Sequence, residues 1–394
     1  MKIKWIFGTI GIILFSIILV NSCTKRGMTK ISVEDYCNKV STPRQGQPLG
    51  ISHYYSQNGF YIDEMLAESF SFGYDLKFGS INKEVNKVFA SNPTGERQKV
   101  IIDTDLGGDI DDAFAVALLL TSPEFEILGI VMDHGLTKKR AQIACKMLYE
   151  TGMEDIPVVV GRQTPNIVGK DKELGNYTNQ FYWAEGFSRI KPIKKSATDF
   201  YLEMFHKYPN QIILFTIGPV SNMSDVLKKD PNILKLAKHI YSMFGSFYIG
   251  YDGSHIPDAE WNVRADVKSA KMFATCSAPI TYAGLDITTH VKLEKEFRFK
   301  LLMRQSPLTN ALSALYSLWG HETPTLYDVV AVGMALWPEL FETRPAHVEV
   351  TDSGYTVIDD SKEPNCEVGI TINRQEFLNR IMKRYLQQNL ERPQ

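Results

Sequence analysis

Five carboxylates fall within ten residues in the stretch Asp103-Thr104-Asp105-Leu106-Gly107-Gly108-Asp109-Ile110-Asp111-Asp112. Acids this close repel one another strongly unless a cation sits among them. Oxygen donors of this hardness suit Ca²⁺ or Mg²⁺ rather than a soft metal. Gly107 and Gly108 permit a tight turn, and Asp111 and Asp112 fall where a following helix would begin, a place its dipole favours for negative charge. Three readings compete. An EF-hand loop counted from Asp103 places Gly108 at the sixth position as required, but Phe114 at the twelfth, where a bidentate Glu is needed; that reading is excluded. An aspartyl-phosphate phosphohydrolase also opens with a strand and Asp-x-Asp, yet it leaves Asp111 and Asp112 without a task. A solvated capping turn accounts for one or two acids, not for five after an apolar strand.

The elements that must position this cluster alternate along the chain. Val100 to Ile102 is a short apolar run, and Ala113 to Leu120 a helix former stopped by Ser122-Pro123. Ile127 to Met132, Pro157 to Val160 and Ile212 to Thr216 read as further strands, with helical stretches at Lys138 to Thr151 and Ala197 to Tyr208. Continuous apolar strands alternating with helices imply an α/β fold, a mostly parallel central sheet flanked by helices on both faces, with a Rossmann-like core. Ligands in such folds bind beyond the carboxyl ends of the strands, and the acid-rich turn falls at such an end.

On these residues the chain resembles the inosine–uridine-preferring nucleoside hydrolase family, whose N-terminal fingerprint is Asp-x-Asp-x-Gly-x-Asp-Asp, here in a longer variant. Further blocks follow in order. They are Ile156-Pro157-Val158 to Pro165, Phe215-Thr216-Ile217-Gly218-Pro219-Val220-Ser221-Asn222, Ala259-Glu260-Trp261-Asn262 with Asp266, Leu285-Asp286-Ile287-Thr288, and Tyr327-Asp328-Val329-Val330-Ala331-Val332. The resemblance runs from about Lys99 to the C-terminal region. It implies hydrolysis of the N-glycosidic bond of ribonucleosides to ribose and free base, with Ca²⁺ as cofactor.

The resemblance also implies roles. Asp105, Asp112 and Asp328 would bind Ca²⁺ through carboxylates and Thr216 through its backbone carbonyl. Asp105 would be general base for the water on the ion, and Asp103 would orient the cluster from behind. Asp111 would bind the ribose hydroxyls, and Glu260 and Asn262 would hold the sugar near its 5′-hydroxyl. Glu260 and Asn262 also read as a capped helix start and Asp328 as an N-cap, and one residue can serve as both. The chain departs from the family pattern on the side of the base. Tyr327 stands where a His commonly acts as leaving-group acid, so Tyr327 is the candidate acid, with His255 and His134 as substitutes. Ser254 stands where a ribose-contacting Asn is usual, and Asp133-His134 where a Gly-Asn pair is usual. These departures keep a rival open: a non-catalytic lipoprotein that binds nucleosides or related sugars on the same calcium floor.

Composition sets the remaining bounds. The chain has 394 residues, 44% hydrophobic and 22% charged, with a net charge of −2 and both signs interspersed. That is ordinary globular composition, and it carries no footprint for nucleic acid. Residues 1–23 read as a lipoprotein signal peptide: Lys2 and Lys4, an apolar run from Ile6 to Val20, then Val20-Asn21-Ser22-Cys23, which is similar to a bacterial lipobox. The expected location is the bacterial cell envelope, periplasmic or outer-membrane facing, with the membrane reached through lipid on Cys23. An uncleaved anchor is the alternative, although the run is near the lower limit for a span. Residues 24–97 read as an extension or linker without chemistry, and residues 98–394 as the nucleoside hydrolase domain. Cys37, Cys145, Cys276 and Cys366 lack metal-type spacing and read as free thiols or an unassigned disulfide. Assembly into a homo-oligomer is compatible with this reading and is not specified by it. Cys23→Ser is expected to move the protein out of the membrane fraction or to block its maturation; unchanged mass and unchanged partition would exclude lipidation at Cys23.

Overall fold

The computed structural model describes residues 97–164 and 179–391; the signal peptide, Cys23, Cys37 and nearly all of the 24–97 segment lie outside them. The elements run β1 (Gln98–Thr104), α1 (Asp111–Leu120), β2 (Phe125–Met132), α2 (Thr137–Glu150), β3 (Val158–Val160), α3 (Phe181–Ala184) and α4 (Ala197–Lys207). They continue with β4 (Ile212–Thr216), α5 (Ser221–Lys229), β5 (His239–Met243), α6 (Trp261–Ala265), α7 (Val267–Ala274), β6 (Ile280–Ala283) and α8 (Leu285–Thr288). The chain closes with α9 (Lys295–Arg304), α10 (Pro307–Trp319), α11 (Tyr327–Leu336), β7 (Phe341–Ala346), β8 (Val348–Val350), β9 (Thr356–Ile358), β10 (Cys366–Ile372) and α12 (Arg374–Gln387).

Eight strands form one sheet in the order β3-β2-β1-β4-β5-β6-β10-β7. Every neighbouring pair is parallel except β10 with β7. The fold is therefore the α/β class expected from the alternating pattern. The strand order reverses between β1 and β4, where the connections leave in opposite directions and open a crevice at the carboxyl ends. Asp103 pairs in register with both Val131 of β2 and Thr216 of β4, so the acid-rich turn leaves the sheet at this reversal.

The helices that carry acids into the crevice are unusually apolar. All ten residues of α1 are buried, as are seven of the ten in α11. A helix without a polar face is an interior helix; α1 packs on α11 and α12, and α11 on β5. On the opposite face α5 packs against α4 and α7, over a core that includes Ile101, Val131, Leu214, Ile240, Phe244, Phe273 and Tyr282. Cys145, Cys276 and Cys366 are free thiols. Among the described residues no helix is long and apolar enough to cross a membrane.

Gly333 sets how closely α11 approaches α12. A Cβ there would lie 2.2 Å from a ring carbon of Phe377, whose buried ring sits 6.0 Å from Trp337 and 5.8 Å from Phe341. Gly333→Ala gains helix propensity of roughly 0.5–1 kcal/mol against an overpacking cost of roughly 1–3 kcal/mol. Net destabilisation is expected, read as a lowered urea midpoint; an unchanged or raised midpoint would show that the Phe377 ring yields.

Candidate active site

The turn after β1 folds back because Gly107 adopts a φ of 109°, open to glycine and strained for other residues. Thr104 donates its hydroxyl to Asp112 Oδ1 and accepts the Leu106 N–H at 3.1 Å, tying the strand end to the start of α1. Arg140 of α2 reaches under the turn, donating Nε to His134 O at 2.8 Å and Nη1 to Leu106 O at 3.1 Å, with Nη2 3.7 Å from Asp105 Oδ2. Gln180 is fully buried and donates to the carbonyls of Gly108 and Asp109 at 3.0 and 2.8 Å. From the β4 side Gly218 comes so close that a Cβ would stand 2.9 Å from Asp105 Oδ1.

These contacts close the floor of a cavity of about 320 Å³. Asp105, Asp111, Asp112, Glu260, Asn262, Tyr327 and Asp328 line it together with Asp109, His134, Arg140, Tyr251, Trp261, Trp319 and His321. Carboxylate oxygens of Asp111, Asp112 and Asp328 all lie within 4.8 Å of one another. None of Asp103, Asp105, Asp111, Asp112 or Asp328 is more than 8% exposed. Burial pushes Asp111, Asp112 and Asp328 well above the carboxylate range, and the neighbouring carboxylates push them further. Asp111 Oδ2 also accepts the Asp328 N–H at 3.2 Å, joining α1 to α11. A set of hard oxygen donors, desolvated and mutually repelling, fits a divalent cation of the Ca²⁺ or Mg²⁺ type; Asp111, Asp112 and Asp328 are the side chains close enough to hold it together, and Asp105 lines the same cavity.

Behind this floor lies a buried polar layer. Asp103 Oδ2 accepts from Tyr201 Oη at 2.5 Å and from Asn222 Nδ2 at 2.9 Å. Burial nonetheless pushes Asp103 up to about 7. Asp133, also fully buried, accepts the N–H groups of His134 at 2.7 Å and Ser221 at 2.9 Å. On the opposite wall Glu260 is the N-cap of α6, accepting from Asn262 N at 2.8 Å, Val263 N at 3.2 Å and Gly245 N at 3.1 Å. Burial overrides these bonds and holds Glu260 at about 7. Asn262 spends both Nδ2 protons on Ile217 O and Met243 O, at 3.2 and 3.1 Å. Its Oδ1 therefore remains the acceptor for a ligand hydroxyl.

Several expected residues sit elsewhere. Ser254 is exposed and does not line the cavity. The loop from Gly250 to Asp258 folds into a turn in which Gly250 N bonds Ser254 O at 2.8 Å and Tyr251 N bonds Asp258 Oδ2 at 2.8 Å. That turn leaves Ser254 exposed and puts Tyr251 on the cavity lining. His255 is exposed and also absent from the lining. Thr216 ends β4 fully buried, with Ile217 next to it on the cavity wall. Asp328 falls inside the first turn of α11 rather than at its N-cap, which is Leu326. Among the cavity residues that sequence reasoning gave no role are Asp109, Arg140, Tyr251, Trp261, Trp319 and His321. Trp319 closes α10 just before the left-handed Gly320, and nothing in that pattern separates it from an ordinary helix end.

A buried floor of acids at the strand reversal of a parallel sheet, with sugar-sized polar walls and an aromatic mouth, defines an α/β enzyme. The description of the inosine-uridine preferring nucleoside hydrolases matches residues 100–379, and the chain belongs to that family. It is 28% identical over 277 residues to uridine nucleosidase 1 of Arabidopsis thaliana, covering 67% of this chain and 81% of that one. It is 26% identical over 309 residues to a pyrimidine-specific ribonucleoside hydrolase of Citrobacter koseri, covering 72% and 97%. Among solved structures it is similar to a plant nucleoside hydrolase, with a TM-score of 0.63, 24% identity and coverage of 74% and 99%. A purine-preferring ribonucleoside hydrolase of Gardnerella vaginalis superposes with a TM-score of 0.64 at 23% identity, covering 73% and 98%.

The raised acids give the cation-free protein a defined pH dependence. Asp103 and Glu260 ionise near 7 in the folded chain and near 4 when unfolded. The folded state then holds more protons between these limits, so the stability present below pH 4 is lost as pH rises through about 7. In EDTA the urea midpoint is expected to be higher at pH 5 than at pH 8, and added divalent cation should flatten or reverse the difference. A midpoint rising with pH in EDTA would contradict the raised acids.

Proposed function

We propose that the chain hydrolyses the N-glycosidic bond of ribonucleosides to ribose and free base, with Ca²⁺ in the acidic floor, as a lipoprotein anchored through Cys23 at the bacterial cell envelope. The observation that carries the catalytic reading is the convergence of Asp105, Asp111, Asp112 and Asp328 with Glu260 and Asn262 on one cavity. When bound, Ca²⁺ neutralises these acids and supplies oxygen coordination for sugar hydroxyls and for water.

The chain's own residues do the rest. Asp105 stands at the floor with Arg140 3.7 Å from its Oδ2 and takes the proton from the attacking water. Asp111 accepts from the sugar's vicinal hydroxyls, and Asn262 Oδ1 and Glu260 hold the other edge of the ring. Cleavage develops positive charge on the ribose, as in glycoside hydrolysis, and the surrounding carboxylates stabilise that charge. Holding sugar and water in a fixed arrangement removes much of the entropic part of the barrier. Tyr251, Trp261, Trp319 and Tyr327 line the mouth with aromatic surface, and Tyr251 and Tyr327 meet edge to face at 6.1 Å. Aromatic rings so placed suit the planar leaving base. Ser254, turned outward, makes no sugar contact in this arrangement.

The test is ribose release across a panel of purine and pyrimidine nucleosides, with and without EDTA and with Ca²⁺ restored. Release that EDTA abolishes and Ca²⁺ recovers is expected, and Asp105→Asn should abolish turnover while a Ca²⁺ thermal shift persists. Binding of nucleosides without release would favour the binding-protein rival. Near-wild-type turnover by Asp105→Asn with the ion bound would overturn the base assignment.

A further inference from the structure

The departing base needs a proton, and the residues given tasks above do not supply it well. Asp105 faces the water. Tyr327 lines the mouth, but its hydroxyl is already engaged with Thr325, and a phenol, whose ordinary pKa is near 10, donates poorly at neutral pH. His255 does not line the cavity.

His134 lines it, yet it is buried and pinned. Thr164 Oγ1 accepts the Gly135 N–H at 2.8 Å and lies 3.0 Å from His134 Nδ1, so that ring nitrogen is already engaged. The backbone fixes the ring as well. His134 adopts a φ of 58°, its N–H is held by Asp133 and its carbonyl by Arg140, and its ring meets Trp261 edge to face at 6.2 Å. A buried imidazole so paired can hydrogen-bond a substrate but resists becoming the imidazolium that a proton donor must be; burial lowers its proton affinity further.

Among the described residues one other imidazole lines the same cavity. His321 lies just beyond Trp319 and Gly320, its ring against the Trp319 ring with centroids 4.8 Å apart. Asp109 lines the same cavity, bonded by the Trp319 side chain. The acids of the floor are buried and His321 is exposed at the mouth. A nucleoside whose sugar sits on the floor directs its base outward to the mouth, where His321 and Trp319 form part of the wall. Resting on the hydrolase reading above, we propose that His321 is the general acid of this enzyme.

The step balances. The C1′–N bond breaks with its electron pair going to the base nitrogen, and the imidazolium of His321 gives its proton to the base. Water bonds C1′ as Asp105 takes its proton. Ribose and neutral base leave, and solvent returns a proton to His321 and removes one from Asp105.

His321→Gln keeps a polar side chain at an exposed position, so the variant tests chemistry rather than folding. Its turnover is measured on inosine and uridine and on p-nitrophenyl riboside, whose phenolate leaves without a proton. General acid catalysis contributes about 10²–10⁴-fold, so a loss of about 10²-fold or more on both nucleosides, with a far smaller loss on the p-nitrophenyl riboside, is expected. Tyr327→Phe is measured in parallel and should lose similar factors on all three. Equal losses for His321→Gln on all substrates, no loss on nucleosides, or the selective loss appearing in Tyr327→Phe instead would overturn the assignment. A wild-type protein that cleaves none of the three would overturn the hydrolase reading itself, a result distinct from any variant pattern.

Discussion

Repulsion among desolvated carboxylates organises this molecule. Asp103, Asp105, Asp111, Asp112 and Asp328 are all buried around the end of one strand, and Arg140 is the cation that lies against Asp105. Burying like charges together is unfavourable unless something of opposite sign is held among them. The surrounding structure is what keeps them there. Thr104 ties Asp112 to the strand, Tyr201 and Asn222 hold Asp103 from behind, and the Asp328 amide binds Asp111 across two helices. The fold supplies stability elsewhere, in apolar helices and a long parallel sheet, and spends part of it on a floor that a divalent ion completes.

The sheet explains why those acids converge although they are far apart in sequence. Reversal of strand order at β1 and β4 leaves a crevice that helices on neither face can fill. The turn after β1 enters from one side, Ile217 and Gly218 after β4 from the other, and α6 and α11 bring Glu260, Asn262 and Asp328 over the top. Each contribution comes from an element end held by the core, so the polar groups are placed by packing rather than by loops. Glu260 shows the economy of this arrangement, since the bonds that cap α6 also fix the carboxyl where a sugar would meet it.

That difference between element ends and loops decides what the sequence made legible. The acid run after β1 is contiguous, follows an apolar strand and precedes an apolar helix, so its clustering can be read directly from Asp103 to Asp112. The parallel sheet follows from continuous apolar runs such as Ile212 to Thr216, whose bounds match β4. Ser254 could not be placed by counting, because a turn held by Asp258 exchanges it for Tyr251. Arg140 lies in the run Lys138-Lys139-Arg140, which reads as a solvated helix face until α2 is packed and one of the three proves buried. Asp133 looks like a loop acid and is in fact fully buried behind the site.

The same distinction accounts for where the chain departs from its family's pattern. On the floor the carboxylates are buried close together, so a change at any one alters the electrostatics of the others. At the mouth the packing is looser. Tyr251, the Trp319-Gly320-His321 turn and Tyr327 come from three places in the chain, touch one another mainly through ring edges, and are partly in solvent. A proton donor there needs only reach the leaving base with an accessible charged form, which an exposed imidazole satisfies and a half-buried phenol does not. Replacement of a His by Tyr327 beside the last acid of the floor therefore need not remove acid catalysis from the fold. It moves the demand to another residue at the same opening, and a turn that places His321 against Trp319 on the cavity lining can meet it without disturbing a single carboxylate below.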